Sequence, residues 1–282
     1  MITAAYIFVN AFLQTCNAST CRYISARSES SCVSATLSFF VSSLYCGVYF
    51  LYTGDRPETW GVVLATSAFT GIFYGASYLV VLATMKARGM AIALAVGNLS
   101  LFVPVVVGIG FGERLSAWQY LGLAMTAGAV PLLSLATVTG EGISERPSWK
   151  LITVFFVLQG CGMSGNLIAD RVLPETSVAS YLTILFFVAG CICLCACRWL
   201  PGQGRKSVVG PGMLQGVLGA TSTLGIMLAL NLVSATVFFC GISIVGLVLS
   251  VTVAVTVWRE RLAARAWIGL ALAAAAIVFL HL

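Results

Sequence analysis

Long apolar runs alternate with short clusters of charged and turn-forming residues along the whole chain. A helix needs about 20 mainly apolar residues to cross the ~30 Å hydrocarbon layer of a bilayer, and the runs have this length. They lack the alternation of membrane β-strands. The pattern predicts an all-α polytopic membrane protein with ten transmembrane helices, near residues 2–21, 32–52, 61–84, 90–111, 117–138, 150–169, 178–197, 211–230, 234–257 and 265–282.

Two of these spans are less regular than the others. The first contains Asn10, Gln14 and Asn17, and the eighth is rich in glycine and threonine, so eight or nine spans remain alternatives. The N-terminus has no basic region and no clear small-residue cleavage site, which predicts that the first apolar stretch is retained. The longest connecting segment, 139–149, is too short to fold alone.

The composition excludes an ordinary soluble domain. Hydrophobic residues make up 60% of the 282 positions and charged residues 9%, with a mean hydropathy of +1.01, whereas soluble domains carry about a quarter charged residues. The net charge is +6, but the basic residues are scattered between apolar runs, so no nucleic-acid-binding face is predicted. Twelve lysines and arginines lie in the odd-numbered loops and three in the even-numbered loops, which favours cytoplasmic odd loops and external termini.

An internal repeat divides the chain into two halves. Gly112–Leu115, followed by a span with Gly122, matches Arg259–Leu262, followed by a span with Gly269, at an offset of 147 residues. A weaker match at an offset of 149 aligns Asn10, Asn17 and Arg22 with Gln159, Asn166 and Arg171. Because each half has an odd number of spans, the two must enter the membrane in opposite directions. We expect a first five-helix repeat over 1–138, a connecting loop over 139–149 and a second repeat over 150–282.

The repeated Glu-Arg-Leu before a glycine-containing span resembles the drug/metabolite transporter superfamily, specifically its ten-span EamA-type members. The motif is Glu113–Leu115 in the first half and Glu260–Leu262 in the second. The resemblance implies a cavity lined by spans 1, 3, 4, 6, 8 and 9 that opens alternately to the two sides. Family members move amino acids, nucleotide sugars, quaternary amines or drugs, and commonly have cytoplasmic termini, contrary to the distribution of basic residues. The small multidrug-resistance relatives use a glutamate in their first span, which this chain lacks.

Amide side chains inside the spans are the first candidates for substrate binding, because an unpaired amide in hydrocarbon is costly. Asn10, Gln14 and Asn17 recur at spacings of four and three and share one face of the first helix. Gln159 and Asn166 form the matching face of the sixth span. Hydrogen bonding between helices is the structural alternative for these residues.

Three further features belong to the third and fourth spans. Tyr74 and Tyr78, four residues apart, could stack on a flat or cationic substrate or could serve packing alone. Asn98 precedes Pro104, which should bend the fourth span and release a backbone carbonyl. We therefore predict substrate-binding roles for Tyr74, Tyr78 and Asn98 and a gating role for Pro104.

The charged residues near the span ends point to anchoring. Glu113, Arg114, Glu260 and Arg261 are expected at membrane boundaries, in contact with water. Arg22 and Arg171 should extend toward the interface, or attract an anionic substrate. Cys191, Cys193, Cys195 and Cys197 are scattered around the seventh helix, and His281 is the only histidine, so no metal site or cofactor is predicted.

The sequence thus predicts a secondary transporter, not an enzyme, that exports or exchanges a small organic metabolite such as an amino acid, amine or drug-like solute. No Walker motif is present, and no span holds an acid near its centre, which favours facilitated diffusion or exchange. A membrane scaffold or lipid-flipping subunit, and a membrane-embedded lipid enzyme, are the alternatives. We expect a multi-pass protein, in the cell (inner) membrane if bacterial, with the lipid bilayer and a small-molecule substrate as partners. We expect a monomer, with a dimer as the alternative.

Overall fold

The computed structural model describes residues 2–27, 31–54, 57, 59–100, 102–110, 116–136, 138–139, 149–174, 177–199, 209–230 and 235–280. Helices dominate the described part of the chain. Their bounds are α1 Ile2–Arg27, α2 Ser31–Thr53, α3 Trp60–Leu99, α4 Phe102–Gly110, α5 Ala117–Leu135, α6 Trp149–Val172, α7 Val178–Trp199, α8 Val209–Leu230, α9 Ala235–Thr256 and α10 Ala264–Leu280.

The all-α prediction is confirmed. Four segments of described helix are long and apolar enough to cross a membrane, as expected of a membrane protein. These segments are Cys32–Thr53, Trp60–Gly110, Trp149–Val172 and Val178–Arg198, while Gly241–Thr256 and Ala264–Leu280 are shorter apolar helices. One small ladder was not predicted: β1, Val138–Thr139, pairs antiparallel with β2, Arg261–Leu262.

The third and fourth predicted spans differ in detail from the observed helices. Helix α3 runs through both, interrupted at Gly89, where φ is +79° and ψ is 173°. Helix α3 ends at Leu99, and α4 begins at Phe102. The break at Gly89 falls between the two predicted spans, so the sequence located this turn correctly.

The helices pack in a small number of extended pairs. Helix α2 lies along α7, and α3 contacts both α6 and α7. Helix α1 contacts α8 and α9, while α5 packs against α10. Two clusters of buried apolar side chains lie within this arrangement: one joins α1, α2, α3 and α7, and the other joins α3, α5, α6 and α10.

Glycines allow the closest of these helix contacts. A methyl group at Gly71 of α3 would lie 2.6 Å from the Leu185 carbonyl oxygen of α7. A methyl group at Gly216 of α8 would lie 2.5 Å from the Ser38 carbonyl oxygen of α2. Backbone therefore rests on backbone at both positions, as in the small-residue contacts common between membrane helices.

We expect Gly71→Ala to lower the apparent thermal unfolding midpoint of the detergent-solubilised protein. The new methyl group would force α3 away from α7, and overpacking of this kind costs about 1–3 kcal/mol. Gly47→Ala is the control, since its methyl group would meet Thr183 at an ordinary 3.6 Å and should gain up to about 1 kcal/mol of helix propensity. Equal midpoints for the two variants would contradict the close approach of α3 and α7.

Candidate functional site

Two groups of polar side chains lie in the interior, and α3 reaches both of them. Tyr74 and Tyr78 are one helical turn apart on α3. The Tyr74 side chain lies beside Asn166 of α6, whereas the Tyr78 hydroxyl interacts with Cys21 of α1. The structure thus brings Tyr74, Tyr78 and Asn166, three of the predicted site residues, into one connected region.

The group around α6 is internally hydrogen-bonded. The Tyr181 hydroxyl of α7 lies 2.8 Å from Asn166 Oδ1 and 3.1 Å from Thr70 Oγ1 of α3. Thr70 in turn donates to the Thr66 carbonyl oxygen at 2.8 Å. Buried polar groups are normally paired in this way, so the Asn166 carbonyl already has its donor inside the protein. Sequence reasoning missed Thr70 and Tyr181, which appear there as ordinary span residues.

The second group lies between α1 and α8. Asn10 is buried, and its Oδ1 atom accepts a hydrogen bond of 2.9 Å from Ser222. One end of the group contains Cys21, whose Sγ atom lies 3.7 Å from the Tyr78 hydroxyl and accepts a hydrogen bond from Gln215. Tyr78 also packs edge to face against Phe39 of α2, at a ring distance of 5.0 Å.

Asn17 lies within this second group, and its side-chain oxygen, unlike that of Asn166, has no hydrogen-bond donor among the described residues. Its Oδ1 atom is buried and has no hydrogen-bond donor in the described part of the chain, and the same holds for Gln215 Oε1. A methyl group at Gly219 would meet nothing closer than Asn17 Nδ2 at 3.8 Å and Ser42 Oγ at 3.9 Å. We refer to Asn17, Ser42, Gln215 and Gly219 as the α1–α8 amide site.

The remaining predicted residues make fewer contacts. Gln14, Asn98 and Gln159 are half-buried, and none makes a side-chain hydrogen bond within the described residues. Pro104 is buried in the first turn of α4, where a missing N–H costs little. The carbonyl four residues earlier, at Ser100, accepts the Val103 N–H at 3.0 Å. The carbonyl that Pro104 was expected to release is therefore occupied.

A buried ion pair is the most prominent polar feature that the sequence did not reveal. Arg22 Nε lies 3.2 Å from Glu260 Oε1, and both side chains are fully buried. Arg22 also donates to the Met85 carbonyl oxygen at 3.2 Å, and its guanidinium carbon lies 5.6 Å from the centre of the Trp258 ring. The expectation that Arg22 extends to the interface and that Glu260 contacts water is wrong, because each supplies the counter-charge of the other.

Glu260 also accepts hydrogen bonds from the backbone N–H groups that the break in α3 exposes. Its carboxylate accepts the Met90 N–H at 2.7 Å and the Ala91 N–H at 3.3 Å. These are the first N–H groups after Gly89, where a restarting helix leaves its donors unpaired and carries a partial positive charge. We call this arrangement the Arg22–Glu260 junction; it comprises Arg22, Glu260, Trp258 and the backbone of 85–91.

Glycine is required at position 89 of the junction. Its φ of +79° lies in the left-handed region, and a methyl group there would lie 2.6 Å from Glu260 Oε2. Burial raises the pKa of the Glu260 carboxyl above its ordinary value, while the Met90 and Ala91 N–H groups and Arg22 act in the opposite direction. The carboxylate is thus stabilised from two sides, by a cation and by a helix N-terminus.

The other charged residues singled out in the sequence do not join this junction. Arg171 and Arg261 are exposed, and Glu113 and Arg114 lie outside the described residues. Arg88, next to Gly89, is buried, and its Nε and Nη2 atoms have no hydrogen-bond partner among the described residues. No group of three metal-ligating side chains occurs among the described residues, 2–280 with their gaps.

Two surface cavities lie beside the polar groups and do not enclose them. One of about 340 Å³ lies between α1 and α8 near Trp258 and is lined by Ser19, Thr20, Tyr23, Gly210, Pro211 and Leu214. The other lies between α3 and α6, next to Thr66 and Gly165. Neither is lined by any of the eight predicted substrate-binding residues.

Comparison with known proteins shows a shared fold and no more. No protein-family model matches the sequence, and no curated protein matches it. One solved crystal structure of a protein is similar over 99% of this chain and 94% of that chain, with a TM-score of 0.51 and 18% sequence identity. At this identity the likeness shows a shared fold, which extends over almost the whole length of both chains.

Proposed function

We propose that this chain is a multi-pass membrane transporter of the EamA type within the drug/metabolite transporter superfamily. It would carry a small organic metabolite by alternating access between two inverted five-helix repeats. The reciprocal glycine contacts between the two halves of the chain carry this proposal. A fold shared with a solved structure is compatible with it but does not name an activity.

Paired glycine contacts support the inverted repeats. Gly122 of α5 approaches Leu280 of α10, and Gly269 of α10 approaches Leu133 of α5. Gly122 and Gly269 are 147 residues apart in the sequence, as are Leu133 and Leu280. Two contacts that exchange roles at one offset are expected of two copies related by a two-fold axis.

The contact of α3 with α7 and the contact of α8 with α2 exchange roles in the same way. Gly71 approaches Leu185 and Val188, whereas Gly216 approaches Ser38 and Val41. Ser38 and Leu185 are 147 residues apart, as are Val41 and Val188, and the two glycines are 145 apart. The helix contacts show the same exchange. In the repeat, α1 corresponds to α6 and α3 to α8, and both α3 with α6 and α1 with α8 are in contact.

The position of the turns supports ten alternating spans. The Arg22–Glu260 junction joins the end of α1, the break in α3 and the turn between α9 and α10. Pairing of β1 with β2 adds the segment after α5 to the same end of the molecule. These are the odd-numbered connections of a ten-span chain, which should share one side of the membrane.

Uptake into proteoliposomes tests the transporter proposal directly. We expect the purified protein to catalyse counterflow of at least one radiolabelled compound from a panel of amino acids, amines, sugars and nucleotide sugars. Uptake should persist without a proton gradient, since the only acid found buried among the described residues, Glu260, is paired in the junction. Absence of counterflow for the whole panel, with a partner protein needed for stable purification, would favour the scaffold alternative.

Substitution of the two equivalent asparagines should impair transport without preventing membrane insertion. We expect Asn17→Leu and Asn166→Leu each to reduce uptake about tenfold. Asn17 offers a buried acceptor without a donor, and Asn166 accepts from the Tyr181 hydroxyl; losing such a group costs about 1–3 kcal/mol. Thr153→Leu on α6 is the control, since Thr153 is exposed and bonds only the Trp149 carbonyl. Undiminished uptake by both asparagine variants would remove these residues from the site.

A further inference from the structure

We propose that the cavity beside Trp258 binds the head group of an anionic phospholipid that also carries hydroxyl groups, as phosphatidylglycerol does. This inference requires the apolar helices to lie in a membrane, and it goes beyond the proposed transport function without depending on it. We call this feature the Trp258 cavity. Its walls are formed by Ser19, Thr20 and Tyr23 of α1, by Gly210, Pro211 and Leu214 of α8, and by Trp258.

The Trp258 cavity has room for a ligand. Its volume of about 340 Å³ lies within the range of about 300–1,000 Å³ that is typical of small-molecule sites. A methyl group at Gly210 would meet nothing within 4 Å, so the wall formed by α8 is open. None of the four residues of the α1–α8 amide site lines the cavity, which is therefore a separate feature of the same helix pair.

The cavity lies at the end of the molecule that holds the odd-numbered connections. Tyr23 lies four residues before the end of α1, and Gly210 is the second residue of α8. Trp258 lies after the end of α9, in the turn that carries Glu260. Tyrosine and tryptophan are enriched where membrane helices reach the lipid head groups. We therefore expect the cavity to lie at the level of the head groups.

Toward the middle of the membrane the cavity is continued by apolar side chains on both helices. Phe12 lies seven residues before Ser19 on α1, and Val217 lies seven residues after Gly210 on α8, so each shares a face with the cavity residue of its helix. Phe12 and Val217 are both exposed, and exposed apolar side chains of a membrane helix face the lipid chains. A polar cavity that leads onto an apolar surface matches an amphiphile, whose chains follow the helices below its head group.

Ser19 and Thr20 provide one donor and one acceptor to the cavity. Ser19 Oγ accepts the Trp258 Nε1–H at 3.2 Å, and the Ser19 hydroxyl proton has no acceptor among the described residues. Thr20 instead donates to the Cys16 carbonyl oxygen at 2.9 Å, which leaves its lone pairs to accept. A phosphate oxygen of the ligand can accept from Ser19, and a hydroxyl of the head group can donate to Thr20.

The charges around the cavity favour a negative head group. Helix α8 begins at Val209, so the wall at Gly210 lies in the partial positive charge of a helix N-terminus. Arg259, directly after Trp258, is exposed, and twelve of the fifteen basic residues belong to the odd-numbered connections. The nearest acid in the sequence, Glu260, is paired with a buried arginine. Basic residues close to the bilayer surface attract anionic lipids.

The other half of the molecule contains an equivalent cavity without this chemistry. The α3 residues that line it correspond to α8 residues of the Trp258 cavity at an offset of 145: Ala65 to Gly210, Thr66 to Pro211 and Phe69 to Leu214. Ile168 of α6 also lines it and corresponds to Ser19 at an offset of 149. This cavity has a volume of about 210 Å³ and an isoleucine in place of the serine donor. The repeat therefore places cavities at both ends of the molecule, and only the one beside Trp258 suits a head group.

Lipid binding to the purified full-length protein in detergent tests the assignment. Native mass spectrometry would give the dissociation constants of phosphatidylglycerol and phosphatidylcholine with identical acyl chains, and of glycerol 3-phosphate as a head group without chains. We expect the first bound lipid to favour phosphatidylglycerol about tenfold, with a smaller preference at higher salt. Glycerol 3-phosphate should bind about a hundredfold more weakly, because it has no chains to contact Phe12 and Val217.

Two matched pairs of variants locate the binding. Leu214→Trp places a large ring in the Trp258 cavity, and Phe69→Trp makes the same change in the equivalent cavity. Gly210→Asp places a carboxylate where the head group would lie, and Gly61→Asp does so at the second residue of α3, where a methyl group would also meet nothing within 4 Å. We expect the first member of each pair to weaken phosphatidylglycerol binding about tenfold and the second to stay within about twofold.

The unfolding midpoints separate lost binding from misfolding. Leu214 and Phe69 are exposed, and an acid in the first turn of a helix is favourable, so all four variants should unfold close to the wild-type temperature. Equal affinity for the two lipids, or undiminished phosphatidylglycerol binding in Leu214→Trp or Gly210→Asp, would overturn the assignment. Glycerol 3-phosphate that bound as tightly as phosphatidylglycerol would assign the cavity to a soluble phosphate compound and reject the lipid. Wild-type counterflow judges the transporter proposal independently of these results.

Discussion

Replacement of Arg22 by methionine is expected to lower the free energy of unfolding by about 3–5 kcal/mol, because it leaves a buried carboxylate without its cation. Arg22 and Glu260 are both buried, with Arg22 fully inaccessible, so water cannot substitute for the lost partner. The loss would be measured as a fall in the unfolding midpoint of the detergent-solubilised protein.

A double-mutant cycle separates the pair from the surrounding packing. Glu260→Gln alone should also be strongly destabilising, because Arg22 is then the uncompensated charge. The variant that carries both changes should lose less than the two single losses combined, with a coupling of about 2–3 kcal/mol. Arg261→Ala, at an exposed position, should stay within about 0.5 kcal/mol of the wild type. Additive single effects would show that the two side chains do not interact.

Gly89→Ala is expected to produce the second large effect. An L-residue at a φ of +79° is strained by about 1–3 kcal/mol, and the methyl group would also displace Glu260 from the Met90 and Ala91 N–H groups. Loss of these hydrogen bonds to a charged group adds about 1.5–3 kcal/mol each. We expect a fall in the unfolding midpoint at least as large as that of Arg22→Met.

Gly54→Ala supplies the matched control for backbone strain. Gly54 has a φ of +65°, but a methyl group there would meet nothing within 4 Å. This variant therefore measures strain alone, and it should cost clearly less than Gly89→Ala. If the two variants were equally destabilised, the carboxylate at Gly89 would contribute nothing beyond backbone geometry.

The helix positions were predictable because they depend on local properties of the chain. Long apolar runs set the length of each helix, and charged or turn-forming clusters set its ends. The turn between 84 and 90 was expected, and it is located at Gly89. The separation of α3, which ends at Leu99, from α4, which begins at Phe102, was not predicted, because Asn98 and Ser100 are the only polar residues in the run from Ala91 to Phe111.

The Arg22–Glu260 junction was not predictable from local sequence. Glu260 lies between Arg259 and Arg261, a composition typical of an exposed turn. Its burial depends on N–H groups that become available at a helix break 170 residues earlier. The repeated Glu-Arg-Leu motif was the only signal, and it marks a position without revealing its partners.

The candidate site was partly predictable for a similar reason. Polar residues in apolar helices identified Asn10, Asn17, Asn166 and the α3 tyrosines, because such side chains require partners. The sequence repeat made Asn17 and Asn166 equivalent. Their difference arises from Tyr181 on another helix, and Gln215 was overlooked within a glycine-rich span.

The Arg22–Glu260 junction can form only late in the synthesis of the chain. Arg22 lies in the first helix and Glu260 before the last, so during synthesis the arginine emerges long before its carboxylate. Until the segment that carries Glu260 is present, the first helix carries a cation without its counter-charge, which is unfavourable in a buried position. Truncation before residue 260 therefore leaves Arg22 without its carboxylate, and the junction can close only once the turn between α9 and α10 has been made.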